Sequence, residues 1–181
     1  MEALEAIYSR KSVRRYSHRK ISDQDLHAIV LAGMSGPSCV NARDWSFLVV
    51  RDQEMLARMA AANGDPAKPL LGADAGILIC GDLNRAFPRA REYWIIDGAI
   101  AAQNMTLAAH ALGIGSVWLG TWPQMDRVKK QSELFRLPEH IVPHSILALG
   151  YPAEEGETSK GSGSEWAEAK WEADRVHWEK W

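Results

Sequence analysis

The pattern of apolar and polar positions switches between a helical and an extended period several times along this chain. Glu2 to Ser9 reads as a short opening helix. Ser22 is placed to cap a second helix, with Asp25 three residues on. Leu26, Ile29, Val30 and Met34 then fall on one face, and Gly33 and Gly36 with Pro37 end the run. Trp45 to Val50 reads as a buried strand. Asp52 opens a helix striped by Met55, Leu56 and Met59, which Asn63-Gly64-Asp65-Pro66 breaks. Ala75 to Cys80 is a second strand, followed by a charged connection from Asn84 to Arg91.

The longest predicted helix runs from Arg91 to Leu112. Trp94, Ile95, Ile96, Ile100, Met105 and Leu112, with alanines between, leave it little polar face. One small protomer has too little surface to cover such a helix, so a subunit interface is expected there. Gly113 closes it. Val117 to Gly120 is a third strand, Pro123 opens a helix with Met125, Val128 and Leu134, and His144 to Leu149 is a fourth strand. Glu154 to Ser164, rich in Gly, Ser and Glu, reads as a mobile linker, and Trp166 to Lys180 as a partly helical extension. The alternation is too loose for a series of βαβ units and points to an α+β, layered sheet. A main domain over 1–153 and an appended segment over 154–181 follow.

Composition narrows the function classes. With 181 residues, 46% of them apolar, the chain is one domain or one protomer of an assembly. A formal net charge of −2 gives no general reason for nucleic-acid or membrane binding, so any anion site is local. Cys39 and Cys80 make no disulfide framework, and the six histidines show no metal spacing. No basic-then-apolar leader and no membrane-length apolar run are seen, which suggests a cytoplasmic protein. Four of the eight tryptophans, Trp166, Trp171, Trp178 and Trp181, crowd the last sixteen residues, so the tail is expected to dock on its own protomer or another.

The candidate chemistry begins at Arg10-Lys11-Ser12-Val13-Arg14. In an extended segment Arg10, Ser12 and Arg14 point one way and Lys11 and Val13 the other. Guanidinium, hydroxyl and guanidinium along one edge suit a phosphate. The simpler reading is that cations at a helix C-terminus complement its dipole and need no ligand. A dinucleotide fingerprint is absent: Gly113-Ile114-Gly115 follows a helix and precedes a strand, the reverse of the required order. No P-loop is present. Cys39 has no His or Asp motif beside it and reads as a small loop residue, Cys80 as core, and His110 and His144 as structural histidines. Trp118 reads as core in preference to a substrate platform.

Pro37-Ser38-Cys39-Val40-Asn41 before Trp45–Val50, the run Gly113 to Gly120, Ala148-Leu149-Gly150-Tyr151-Pro152 and the Trp-rich tail keep company with Arg10–Arg14. In this order and spacing the set resembles the nitroreductase family of FMN-dependent oxidoreductases, over nearly the whole chain. The resemblance implies a nitroreductase-like fold, with a mainly antiparallel central sheet flanked by helices, in an intertwined homodimer. It implies that Arg10, Lys11, Ser12 and Arg14 contact FMN. Pro37, Ser38, Cys39 and Asn41 would reach the flavin from the other subunit. Leu119 and Gly120 would lie under the ring, and Lys170 would reach the phosphate. Arg43 and Asp44 depart from the usual Gln and Pro before Trp45. Asp97 and Asn104, two helical turns apart, fit an interface polar pair as well as a flavin role.

The implied activity is reduction of bound FMN by NADH or NADPH, with electrons passed on to a nitroaromatic, quinone or similar acceptor. FMN carries the chemistry and no side chain is expected to be catalytic. Three alternatives stand beside it. One is specialised flavin chemistry on the same fold, such as dehalogenation, azoline dehydrogenation or flavin destruction. The short stretch from Cys80 to Arg91 leaves no room for the large lid such chemistry usually brings. The others are a flavin-binding protein without turnover and an interaction protein using the Trp-rich tail.

Overall fold

The computed structural model describes residues 1–153 and 171–181. Its strands are β1 (Trp45–Val50), β2 (Ala75–Asp82), β3 (Gly115–Gly120) and β4 (Ile141–Gly150), and they form one sheet in the order β1-β2-β4-β3. Every pairing is antiparallel. The helices are α1 (Ala3–Ser9), α2 (Asp23–Met34), α3 (Gln53–Asn63), α4 (Tyr93–Ala111) and α5 (Met125–Phe135).

Both faces of the sheet are covered, and this is why β2 and β4 read as unbroken apolar runs and not as alternating ones. On one face Ile77, Ile79, Leu147 and Leu149 pack with Leu26 and Ile29 of α2 and Ala102, Met105 and Ala109 of α4. On the other, Leu78, Ile146, Ala148, Val117 and Leu119 pack with Leu56 and Met59 of α3. Each fully buried large side chain contributes about 1.5–3 kcal/mol. The caps are as the sequence predicts: Ser22 accepts from the Asp25 N–H at 3.0 Å and Asp52 from the Met55 N–H at 2.8 Å.

Several boundaries differ from the sequence expectation. Gly33 lies inside α2, buried against Met105, and does not end it. α5 starts at Met125 with Gln124 before it, not at Pro123. β3 and β4 extend beyond their apolar runs because ladder bonds continue past the last apolar side chain. A 3-10 stretch, Asp65–Gly72, with prolines at 66 and 69, was not foreseen. Within this chain Asp97 accepts the Cys39 N–H at 2.9 Å, and Asn104 donates to the Ala32 carbonyl at 3.3 Å.

α4 buries Trp94, Asp97, Ala101, Met105 and Ala109, yet within this chain Tyr93 and Ile96 stay exposed. In the tail, Ala173–Arg175 forms a 3-10 turn, and Trp171, Trp178 and Trp181 are exposed. The linker at 154–164, Trp166 and Lys170 lie outside the described residues.

A buried ionic hub joins the start of α2 to β2. Asp74, 5% exposed, accepts the Ile21 N–H at 2.8 Å and pairs with Lys20 at 2.9 Å and Arg51 at 3.0 Å. Arg51 also donates to the Ile21 carbonyl at 2.8 Å and to Asp23 at 2.6 Å.

Candidate cofactor site

The segment after α1 runs along the outer edge of β3. Ser12 bridges Ser116 in parallel sense, the Val13 N–H donates to the Ser116 carbonyl at 2.9 Å, and Tyr16 bridges Pro152. Val13 is buried while Ser12 and Arg14 are exposed, so side chains alternate as in a strand. Gly115 permits the close approach: a Cβ there would stand 2.7 Å from Val13 Cβ. The Tyr16 hydroxyl donates to the carbonyls of Val13 and Ala148 at 2.7 and 3.1 Å, pinning the segment at its far end.

Arg14 is thereby set at the rim of a cavity of about 550 Å³, whose wall also includes Lys68, Trp118, Leu119 and Gly120. The end of β3 is held from behind. The Gly120 carbonyl accepts from Asn63 Nδ2 at 3.1 Å and from Arg127 at 2.9 Å, and Thr121 donates to Asn63 Oδ1 at 2.8 Å. A Cβ built on Gly120 would meet nothing within 4 Å, so a planar group can come directly against the backbone. Lys68 pairs with Asp65 at 3.3 Å, but both side chains are exposed and such a pair is weak. Lys68 is therefore free to turn to an anion. Sequence reading missed it; the signal was a single cation held between Pro66 and Pro69 in a short connection.

Of the residues named from the sequence, the cavity unites Arg14, Leu119 and Gly120. Arg10 follows α1, and both it and Lys11 act on His110 at the end of α4. Burial first, then these two cations, holds the His110 pKa below its ordinary value, and its Nε2 lies 2.7 Å from Ser9 Oγ. Trp118 is 38% exposed and lines the cavity, so it is not a core residue. A second cavity of about 480 Å³, where Arg19 lies 3.7 Å over the Tyr151 ring, contains none of the nominated residues.

Pro37, Ser38, Cys39 and Asn41 do not line the Arg14 cavity of this chain. Their loop includes a 3-10 turn, Cys39–Asn41, and Val40, Asn41 and Arg43 all have positive φ, at 45°, 58° and 50°. Ser38 Oγ accepts the Arg43 N–H at 2.9 Å and Arg43 Nε donates to Asn41 Oδ1 at 3.1 Å. The Cys39 thiol is pushed up by desolvation and by Asp97 and Asp44, which is the wrong direction for a nucleophile.

His144 stands at a register shift between β2 and β4: Ile79 faces Ser145 and Cys80 faces Pro143. Its carbonyl accepts from Thr121 and Trp122 at 3.3 and 2.9 Å, which turns the chain out of β3. The ring packs against Trp94 and Trp118, with Nδ1 2.9 Å from Ser145 Oγ. Burial lowers its pKa to about 4, against an opposing bond to the Ile95 backbone, so it is neutral at pH 7.

An antiparallel sheet between two helical layers, with Arg14, Lys68 and Asp65 around a cavity at a glycine strand end, defines an α+β protein. A sequence model of the Nitroreductase family matches residues 7–77 and 67–151, and the chain belongs to that family. It is 42% identical, over 99% of both chains, to an Archaeoglobus fulgidus protein that bears the name NADH dehydrogenase/NAD(P)H nitroreductase. Among solved structures, it is similar to an FMN-dependent nitroreductase of Clostridium difficile, with a TM-score of 0.86 at 26% identity over 98% and 99% of the two chains. It is also similar to a nitroreductase-type protein of Desulfovibrio desulfuricans in complex with FMN, with a TM-score of 0.74 at 30% identity over 95% and 96%. No helix among the described residues is long and apolar enough to cross a membrane.

Proposed function

We propose that this chain is an FMN-dependent NAD(P)H oxidoreductase whose cofactor lies in the Arg14 cavity. The observation that carries the reading is the union of two cations with an open glycine backbone in one cavity. Bound FMN supplies the redox chemistry, taking electrons from NADH or NADPH and passing them to a nitroaromatic, quinone or similar acceptor in a ping-pong cycle.

The chain's own groups bind, orient and tune. Arg14 and Lys68 offer charge-assisted hydrogen bonds to a phosphate or to the electron-rich edge of the ring. Positive charge beside that edge favours the reduced form. Arg10, Lys11 and Ser12 continue the basic edge beyond the cavity. Gly120 and Leu119 present backbone to the ring face, with Asn63 and Arg127 fixing that peptide from behind. The exposed face of α4 supports a homodimer, in which Pro37, Ser38, Cys39 and Asn41 of one protomer complete the site of its partner. Lys170 of the appended segment is the remaining candidate for the phosphate.

The test is direct. Cofactor released by heat should chromatograph as FMN, its absorption should bleach on anaerobic addition of NADH or NADPH, and menadione should sustain NAD(P)H consumption. FAD as the main species, or a flavin that NAD(P)H leaves oxidised, would overturn the reading.

Gly120→Ala tests the placement. The added methyl enters empty space, so the melting temperature of the cofactor-free protein should not change. The same methyl separates the ring from the backbone, and FMN affinity should fall by about tenfold or more, roughly 1.4 kcal/mol. Titration of apo-protein with FMN checks this.

A further inference from the structure

Beneath the Pro37–Arg43 loop lie two carboxyl groups that the cofactor reading does not use. Asp44 is 0% exposed and Asp97 is 2% exposed. Neither oxygen of Asp44 meets a hydrogen-bond donor, and no cation among the described residues forms an ion pair with either carboxyl. The Asp97 charge acts on Asp44, and Asp97 itself accepts the Cys39 N–H at 2.9 Å. Two carboxylates cannot hydrogen-bond to each other; a carboxylic acid and a carboxylate can. Two buried like charges with no counter-ion would be costly, and one proton removes most of that cost.

The loop above needs an anchor. Val40, Asn41 and Arg43 sit in the left-handed region, and Val40 is β-branched and 71% exposed, so its own packing does not hold it there. Such residues cost on the order of 1–3 kcal/mol each and persist only when their surroundings hold them. The bond from Cys39 N–H to Asp97 ties this loop to α4, and the Asp44 carbonyl, accepting the Asp82 N–H at 2.6 Å, ties its far end to β2.

We propose that Asp44 and Asp97 share one proton, and that this proton anchors the strained Pro37–Arg43 loop on α4 in the form the cofactor site requires. The proton leaves one carboxyl oxygen and is held between the two groups, so the pair carries a single negative charge. Loss of that proton leaves two negative charges buried side by side, with Asp82 at the end of β2 adding a third nearby. The loop is then pushed from its seat.

The electrostatics agree. Burial first, then Asp97, then Asp82, raises the Asp44 pKa to about 6, with only its own backbone N–H opposing. The other titratable groups facing the pair are the Cys39 thiol from the loop and His144, whose ring packs against Gly98 beside Asp97. The thiol is raised and the histidine lowered, so neither supplies charge at neutral pH.

The inference rests on the reading that the loop belongs to an FMN site, and the experiment separates the two. Wild type, Asp44→Asn and Asp97→Asn are compared from about pH 5 to about pH 8, by FMN titration of apo-protein and by the melting temperature of the cofactor-free protein. In Asp44→Asn an amide N–H replaces the shared proton and does not titrate. In Asp97→Asn the amide oxygen still accepts from Cys39 while its N–H donates to Asp44. Between the unfolded carboxyl value, about 3.9, and about 6 folded wild type holds a proton that the unfolded chain has lost, so its stability relative to either variant falls as pH rises to about 6 and levels off above it. Its FMN dissociation constant should rise over the same range by roughly threefold to tenfold relative to Asp44→Asn, tenfold being one pKa unit of coupling. The phosphate of FMN titrates in this range too, but equally for all three proteins. Parallel pH profiles of all three in both measurements would overturn the proposal. Diverging melting profiles with no FMN binding to any of the three would uphold the shared proton and overturn the cofactor reading instead.

Discussion

Arg14→Ala should weaken FMN binding by about 2–3 kcal/mol, roughly 30- to 150-fold, the range for a charge-assisted hydrogen bond. Arg14 is exposed at the rim of the cavity, beyond the buried Val13 that fixes its position, and no ion pair holds it among the described residues. The alternative, that these cations only complement the α1 dipole, predicts something different. Arg14 lies five residues beyond the last residue of α1, Ser9, and a dipole effect does not reach past one turn. On that account Arg14→Ala would leave flavin affinity intact, and titration of apo-protein decides. The same variant also tests the shared site. In a two-fold dimer, mixing Arg14→Ala with Asn41→Ala protomers puts both lesions into one site and leaves the other intact, so heterodimers should regain up to about half the wild-type FMN occupancy. No recovery in demonstrable heterodimers would mean that each site is built from one chain.

Asp74→Ala should cost about 3 kcal/mol of folding stability, the largest effect expected for any single change away from the cavity. Asp74 is buried, and its removal strands the Ile21 N–H and the Arg51 guanidinium, which is turned inward to meet it. Lys20, 70% exposed, returns to water and adds little. For a chain of this size the melting temperature should drop by roughly 6–12 °C. The pH dependence carries a definite sign. Burial pushes the Asp74 carboxyl up, but the Ile21 N–H, Lys20 and Arg51 outweigh it and hold the group below its ordinary range. A depressed folded pKa means the stabilisation is fully present above the unfolded value, about 3.9, and is lost as pH falls through the folded value. The gap between wild type and Asp74→Ala should therefore be flat at neutral pH and close in strong acid. A gap that widened on acidification would show that Asp74 is not held ionised by its partners. Thermal melts at a series of pH values measure it.

These effects arise at places the sequence marked unequally. Helix caps at Ser22 and Asp52, the apolar strand runs and the alternation of Ser12, Val13 and Arg14 were legible, because each depends on residues within one turn or one strand pair. The family resemblance also lay in short local motifs, and the family match and the antiparallel sheet agree with it. Lys68 was not legible, because its relevance comes only from β3 lying alongside the Asp65–Gly72 stretch. The Asp97 contact to Cys39 joins positions 58 residues apart, and no periodicity encodes that. His144 read as a structural histidine, but that its ring meets Trp94 and Trp118 depends on α4 and β3 packing beside β4. Asp44 stood out in the sequence only as a departure from the usual proline. Its environment depends on burial and on which charges lie within a few ångströms, and both are set by how distant segments pack. Local preferences thus decided the elements of this chain and the order of its motifs, whereas tertiary packing decided which charges meet, which are neutralised and which face the open cavity.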